Sequence, residues 1–86
     1  MPKNNLLEVK ILWPPAAKKE SFEGKVKAIS SKNLLGNFDI LPDHANFISL
    51  IFNTLIVHAP DRKINYQFIR GILEVSRNKV KIFLGL

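Results

Sequence analysis

The residues of this chain whose types could do chemistry are few and sit close together. Asp39, Asp43 and His44 share the stretch "GNFDILPDHANFISL", Gly36 to Leu50. Carboxylates beside an imidazole are raw material for general acid–base catalysis, which also needs a pocket and a nucleophile or metal at hand. The sequence supplies neither near this cluster. There is no cysteine and no glycine-rich phosphate cradle, and the other histidine, His58, lies between Val57 and Ala59 at the end of an apolar run. Asp39 alternates with Phe38 and Ile40, as an outward strand residue does. The cluster therefore reads as a structured corner whose polar groups bond the local backbone. His58 reads as a satisfied or exposed histidine rather than a ligand. No catalytic, cofactor-binding or metal-ligating residue is expected.

The elements that must hold this corner are strands, because apolar residues recur with period two. In "LLEVKILW" the face Leu7, Val9, Ile11, Trp13 opposes Glu8 and Lys10, and Pro14-Pro15 ends the run. "SFEGKVKAIS" puts Phe22, Val26 and Ala28 on one side, with Gly24 marking a bulge or a close backbone approach. "GNFDIL" places Phe38 and Ile40 together. "NFISLIF" and "TLIVHA" are almost wholly apolar, and Phe52-Asn53-Thr54 between them reads as a turn, since asparagine tolerates the left-handed region. "APDRK" is a further turn. "KINYQFI" alternates Ile64, Tyr66 and Phe68 against polar neighbours; Gly71 interrupts, "ILEV" continues, Ser76-Arg77-Asn78 turns, and "KVKIFL" points Val80, Ile82 and Leu84 inward. Some seven or eight short strands with turn signals at this spacing indicate an all-β sandwich or barrel. No window carries a helical stripe; "AAKKE" is too short.

With 86 residues the chain is one domain, residues 1–86, with a thin core. The apolar fraction of 47% is that of a folded protein. No apolar run approaches the ~18 residues that span a bilayer. "MPKNNLLEVK" lacks an uninterrupted apolar segment after Lys3, so no signal peptide is read and a soluble, internal protein is expected. The net charge of +6 invites nucleic acid, an acidic membrane surface or an acidic protein as partner. Lys10, Lys25, Lys27, Lys63, Lys79 and Lys81, however, occupy the polar phase of alternating strands, where a half-wet sheet puts charge to stay soluble. A single-strand-binding barrel needs aromatics on that same face. Trp13, Phe22, Phe38, Tyr66 and Phe68 fall on the apolar sides and Phe83 alone shares the basic phase, so no nucleic acid is expected; a basic oligonucleotide-binding barrel is the lesser alternative. The doubly apolar "NFISLIFNTLIV" is more surface than so small a domain can hide, so a protein partner is expected to cover one face.

Four motifs, in order and covering nearly the whole chain, carry a resemblance. "GNFDILPDHA" resembles the Gly-x-Phe-Gly-Ile-Leu-Pro-x-His-Ala-Pro segment of the epsilon subunit of F-type ATP synthases. "LEVKIL" is similar to that family's first strand, "FEGKVKAIS" to its Phe-x-Gly-x-Val-x-x-Ile element, and "RGILEVSRNKVKIFLG" to its Gly-Gly-x-Leu-Glu-Val-x-x-Asn-x-Val ending. The resemblance implies a flattened β-sandwich of about eight to ten short antiparallel strands. It implies a non-enzymatic central-stalk subunit that binds the gamma subunit and couples it to the membrane c-ring. The alpha/beta catalytic hexamer would be an indirect partner. The membrane would be met only through the complex, at the cytoplasmic or organelle-matrix face of an energy-transducing membrane. An epsilon-like subunit of a divergent rotary ATPase is the alternative within the family.

The resemblance makes Asn37, Phe38, Asp39, Asp43 and His44 candidate rotor and c-ring contacts. Phe47, Leu55, Ile56 and Arg70 form the candidate gamma-contact surface. Departures are Asp39 in place of a glycine, Asn46 of a proline, Phe52-Asn53 of a Pro-Gly turn and Arg70 of the first of two glycines. Asp39 and Asn53 are both expected to tolerate positive φ. Family members commonly continue into a helical hairpin that inhibits hydrolysis; with Leu86 following the last strand, a short form without inhibitory function is expected.

Overall fold

A computed structural model describes residues 6–86. The reading that Met1–Asn5 carry no leader lies outside the described residues. Seven strands form one mixed sheet in the order β2-β1-β7-β6-β5-β3-β4. These are β1 (Leu7–Leu12), β2 (Phe22–Val26), β3 (Ala28–Asn33), β4 (Gly36–Ile40), β5 (Phe47–His58), β6 (Lys63–Ser76) and β7 (Lys79–Leu84). Neighbours are antiparallel except β1 and β7, which run parallel from Glu8↔Lys79 to Leu12↔Phe83. Pro14 and Pro15 stop β1 as expected, and only a 3-10 turn, Pro15–Ala17, follows.

The all-β sandwich expected from the alternation is the fold, and its strands are seven among the described residues because two of them are long. The run on either side of Asn53 is not a hairpin. It is one 12-residue strand, β5, paired with the 14-residue β6 along its whole length. Asn53 does adopt φ +72, but the result is a bulge instead of a turn. Between the pairs Phe52↔Arg70 and Thr54↔Gln67, β5 spends one residue and β6 spends two, Phe68 and Ile69. That extra residue switches the inward phase of β6 from Ile64, Tyr66 and Phe68 to Gly71, Leu73 and Val75. A bulge also bends its strand and strengthens the local twist. The β5–β6 ribbon thus belongs to both halves of the sandwich. The amino-terminal half of β5 and the carboxy-terminal half of β6 continue into β7, β1 and β2; the other halves continue into β3 and β4.

A second correction concerns "SFEGKVKAIS", which is two strands. The chain bends at Lys27, whose N–H donates to the His58 carbonyl, and the phase changes there. Val26 faces inward on β2, while Ile29 and Ser31, not Ala28, face inward on β3. Gly24 marks a close approach and no bulge: its register with Val9 is unbroken, and an added Cβ would lie 3.3 Å from the Phe22 ring. Asp39 needs no positive φ, being an ordinary residue of β4 opposite Ser30.

The inward faces of all seven strands meet in one cluster that includes Leu7, Ile11, Ile29, Ile40, Ile51, Leu55, Leu73 and Ile82, all fully buried. Trp13, Phe22, Phe38, Phe47, Tyr66 and Phe68 pack against its margins. Burial of apolar surface at roughly 25 cal/mol per Å² is the term that holds so thin a core. The buried polar side chain, Ser31, is satisfied: its hydroxyl donates to the Thr54 carbonyl at 2.7 Å, tying β3 to β5 beside the bulge.

Candidate functional site

The fold separates the residues that the sequence places together. Asp39 points outward from β4 and accepts a hydrogen bond from the Ser30 hydroxyl at 2.6 Å. Ser30 Oγ also lies 2.8 Å from His58 Nε2: Asp39 is the register partner of Ser30, and His58, paired with Ala28, is its diagonal neighbour on the other side. Serine, histidine and aspartate are here in the wrong order for a nucleophile. In a triad the imidazole takes the hydroxyl proton and the carboxylate orients the imidazole. Here that proton is given to Asp39, and the His58 contact is made when Nε2 carries its own. The trio ties β4, β3 and β5 together on an open sheet face. Among the described residues no group of three histidine, aspartate or glutamate side chains is placed to hold a metal ion.

Asp43 and His44 belong to a different structure, the corner between β4 and β5. Asp43 adopts φ +68, and its N–H donates to Asn78 Oδ1 at 2.6 Å while Asn78 Nδ2 donates to Asp43 Oδ1 at 3.2 Å. The His44 N–H donates to the Leu41 carbonyl at 3.2 Å, and its Nδ1 lies 2.7 Å from the Ala45 carbonyl. Its ring meets Phe47 edge-on at 5.7 Å, and Phe47 meets Phe38 in the same way at 5.5 Å. Of the expected ring-facing residues, Asn37, Asp39 and Asp43 are exposed and His44 is half-exposed, while Phe38 turns inward to support them.

The residues expected to meet gamma do not make one surface. Leu55 is withdrawn: it has 0% exposure and is part of the core, because it keeps the inward phase of β5. Phe47 also faces inward, against the cluster margin. Ile56 lies outward on the half of β5 next to β3, and Arg70 is exposed at the bulge opposite Phe52. Its side chain finds room in solvent. The glycine after it has no such latitude, since a Cβ on Gly71 would fall 2.6 Å from the Phe83 carbonyl oxygen.

A surface that sequence reasoning missed crosses four strands. Leu50, Ile72, Phe83 and Leu12 are successive register partners on the outward face of β5, β6, β7 and β1. Leu50 and Phe83 remain 48% and 38% exposed, and Ile48 beside them 69%. In the adjoining row Ile48 is followed by charge: Glu74, Lys81, Lys10 and Glu23 are successive partners on β6, β7, β1 and β2. The charged part lines a shallow trough of about 670 Å³ over β2, β1, β7 and β6. The sequence reading singled out the doubly apolar run through Ile48 and Leu50, and Phe83 as a stacking residue, but not Ile72 and Leu12, which only register aligns with them. The register neighbours of Phe83 are leucine and isoleucine, so no aromatic platform for bases forms around it.

The geometry above matches a known domain. The family model for the ATP synthase delta/epsilon chain β-sandwich domain matches residues 7–84, from the first strand to the last. The chain belongs to this family. An ATP synthase epsilon chain of Clostridium botulinum (strain Eklund 17B) is 32% identical over 79 residues, covering 87% of this chain and 55% of the relative. One from Clostridium kluyveri is 30% identical over 79 residues, covering 90% and 58%. The chain thus spans little more than half the length of these relatives. Its fold is also that of a chain in the Euglena gracilis mitochondrial ATP synthase assembly of F1 and c-ring, with TM-score 0.83 at 17% identity over 98% of this chain and 53% of that one. A chain in the Tetrahymena thermophila central stalk and c-ring assembly gives 0.74 at 13%, over 100% and 67%. Asn53 and Arg70 both sit at the β5–β6 bulge. No helix among the described residues is long and apolar enough to cross a membrane.

Proposed function

We propose that this chain is the non-catalytic, epsilon-type subunit of the central stalk of an F-type rotary ATP synthase. It binds the gamma subunit through the outward row Leu12, Phe83, Ile72 and Leu50, and turns Asn37 and Asp39 of β4 and the corner residues Asp43 and His44 towards the c-ring. It meets the membrane only through that complex, on the face that carries the catalytic sector. The observation that carries this reading is the four-strand apolar row on a family sandwich. Contiguous apolar surface on so small a domain marks a partner, and permanent interfaces are apolar at their centre. Ile56 and Arg70, which lie off the row, flank the interface at most.

The test is co-purification of the tagged chain from its own cells in moderate salt, beside its Leu50→Asp variant. The native chain is expected to bring down gamma with alpha and beta chains, and c-ring when membranes are solubilised intact. The variant places a charge at the exposed β5 end of the row and is expected to lose at least about tenfold in gamma recovery while folding normally. Equal recovery by a folded variant removes the row from the interface. Recovery of nucleic acid, or of no motor subunit, overturns the function itself.

A further inference from the structure

The structure assigns Asn78 a positioning role: its carboxamide clasps the β4–β5 corner to the β6–β7 turn and sets the shape in which the corner meets its partner. The clause about the partner rests on the ring-facing reading above; the clasp itself does not. Three groups of this one residue are used on two other segments. Oδ1 accepts from the Asp43 N–H, Nδ2 donates to Asp43 Oδ1, and the main-chain carbonyl accepts from the Glu8 N–H at 2.8 Å. Among the described residues the corner has no strand partner along Leu41–Asn46, and the His44 N–H donates to the Leu41 carbonyl within it. The clasp therefore supplies the partner that the Asp43 amide otherwise lacks.

Two conformational facts strengthen the assignment. Asp43 is a non-glycine residue at φ +68, a region that persists where the surroundings determine it. The turn also requires φ +51 at Arg77 and +62 at Asn78, the signature of a two-residue type I′ hairpin. Glycine or aspartate would satisfy that backbone as well as asparagine. Only asparagine offers an acceptor to the Asp43 amide and a donor to its carboxylate at once. The corner in turn carries the aromatic chain His44, Phe47 and Phe38, which runs from the surface to the core margin. Releasing Asp43 thus frees the His44 ring as well as one amide.

Asn78→Gly separates clasp from turn, since glycine keeps the positive φ and removes the carboxamide. Asp43→Asn is the conservative control: it keeps the backbone N–H and the Oδ1 acceptor and removes only the charge. In Asn78→Gly, amide exchange at Asp43 is expected to accelerate about tenfold or more and the His44 ring resonances to move, with strand amides unchanged. In Asp43→Asn both are expected to stay as in the native chain. The native chain and Asn78→Gly are then rebound to membranes carrying the motor stripped of this subunit. Asn78→Gly is expected to rebind about tenfold more weakly than the native chain. Unchanged exchange at Asp43 in Asn78→Gly overturns the clasp. Faster exchange with native rebinding overturns the positioning role and leaves a structural tie. If the native chain itself fails to rebind, the ring-facing reading falls, and exchange still decides the clasp.

Discussion

Phe47–Phe52 and Thr54–His58 are halves of one strand with nearly the same apolar content, and they end in opposite surroundings. The second half lies between β3 and β6. Its inward residues Leu55 and Val57 are fully buried, and its outward residues Ile56 and His58 are half-covered beside Ser30. The first half has β6 on one side and, among the described residues, no strand on the other. Its outward Ile48 and Leu50 stand in solvent at the end of the four-strand row. Alternation along a strand tells which residues share a face, but not what lies over that face. In this chain both halves bury their inward residues, Ile51 as well as Leu55, and a bulge at Asn53 divides a half with a covered outward face from one with an open outward face.

The largest effect that can break this comparison is a truncation on either side of the bulge. Leu55→Ala opens a cavity in the common core and is expected to cost about 2–5 kcal/mol, a large share of the roughly 5–15 kcal/mol that holds a small domain. Ile48→Ser, in the other half, is expected to stay within about 0.5 kcal/mol of the native chain. Urea unfolding of both variants measures the difference. Similar midpoints for the two would mean that the halves are not divided as described.

Next in size is Gly71→Ala, which probes the inner side of the half with the open outward face. Gly71 is the register partner of Ile51, and an added Cβ meets the Phe83 carbonyl oxygen at 2.6 Å and Leu84 Cδ2 at 3.0 Å. Backbone cannot swing aside as a side chain can, so the cost is expected at about 1–3 kcal/mol, again by urea unfolding. A neutral result would show that β7 shifts freely over β6, and the apolar row would then lack a fixed register.

How much of this was legible depended on the range of the interaction. The faces of β1, β4 and β7 follow from period two alone, since Leu7, Val9, Ile11, Ile40, Val80 and Ile82 are buried as their alternation requires. The Arg77-Asn78 turn is legible because few residues accept two successive positive φ values. Asn53 was legible as a positive-φ residue but not as a bulge, because the distinction lies in the phase of the partner strand. That phase was in fact present, as the switch from Phe68 to Gly71 with Ile69 and Arg70 adjacent between them. The parallel pairing of β1 with β7 left no local mark, because both strands alternate equally well with any neighbour. The candidate site suffered most. Asp39, Asp43 and His44 are neighbours in sequence, yet a strand end lies between them, and their true partners Ser30, His58 and Asn78 are brought by long-range register.

The smallest effect, and the finest test of the covered half, is alkaline titration. Tyr66 is the register partner of Leu55 and packs at the core margin near Trp13, with ring centroids 6.4 Å apart. Burial disfavours its phenolate and raises its pKa above the ordinary 10.0, with the Arg62 guanidinium pulling partly the other way. Below pH 10 the phenol is protonated in folded and unfolded chains alike, so it adds no pH dependence there. Above pH 10 the unfolded chain loses its proton first and binds fewer protons than the native one, so stability falls as pH rises. The phenolate absorbance of the folded chain should therefore rise at higher pH than that of the urea-unfolded chain. Tyr66→Phe should flatten the part of the alkaline stability loss that belongs to this ring, leaving whatever the lysines contribute. Coincident titrations would mean that the ring beside Leu55 is as wet as the surface half of β5, and the contrast between the two halves would shrink to the aliphatic core alone.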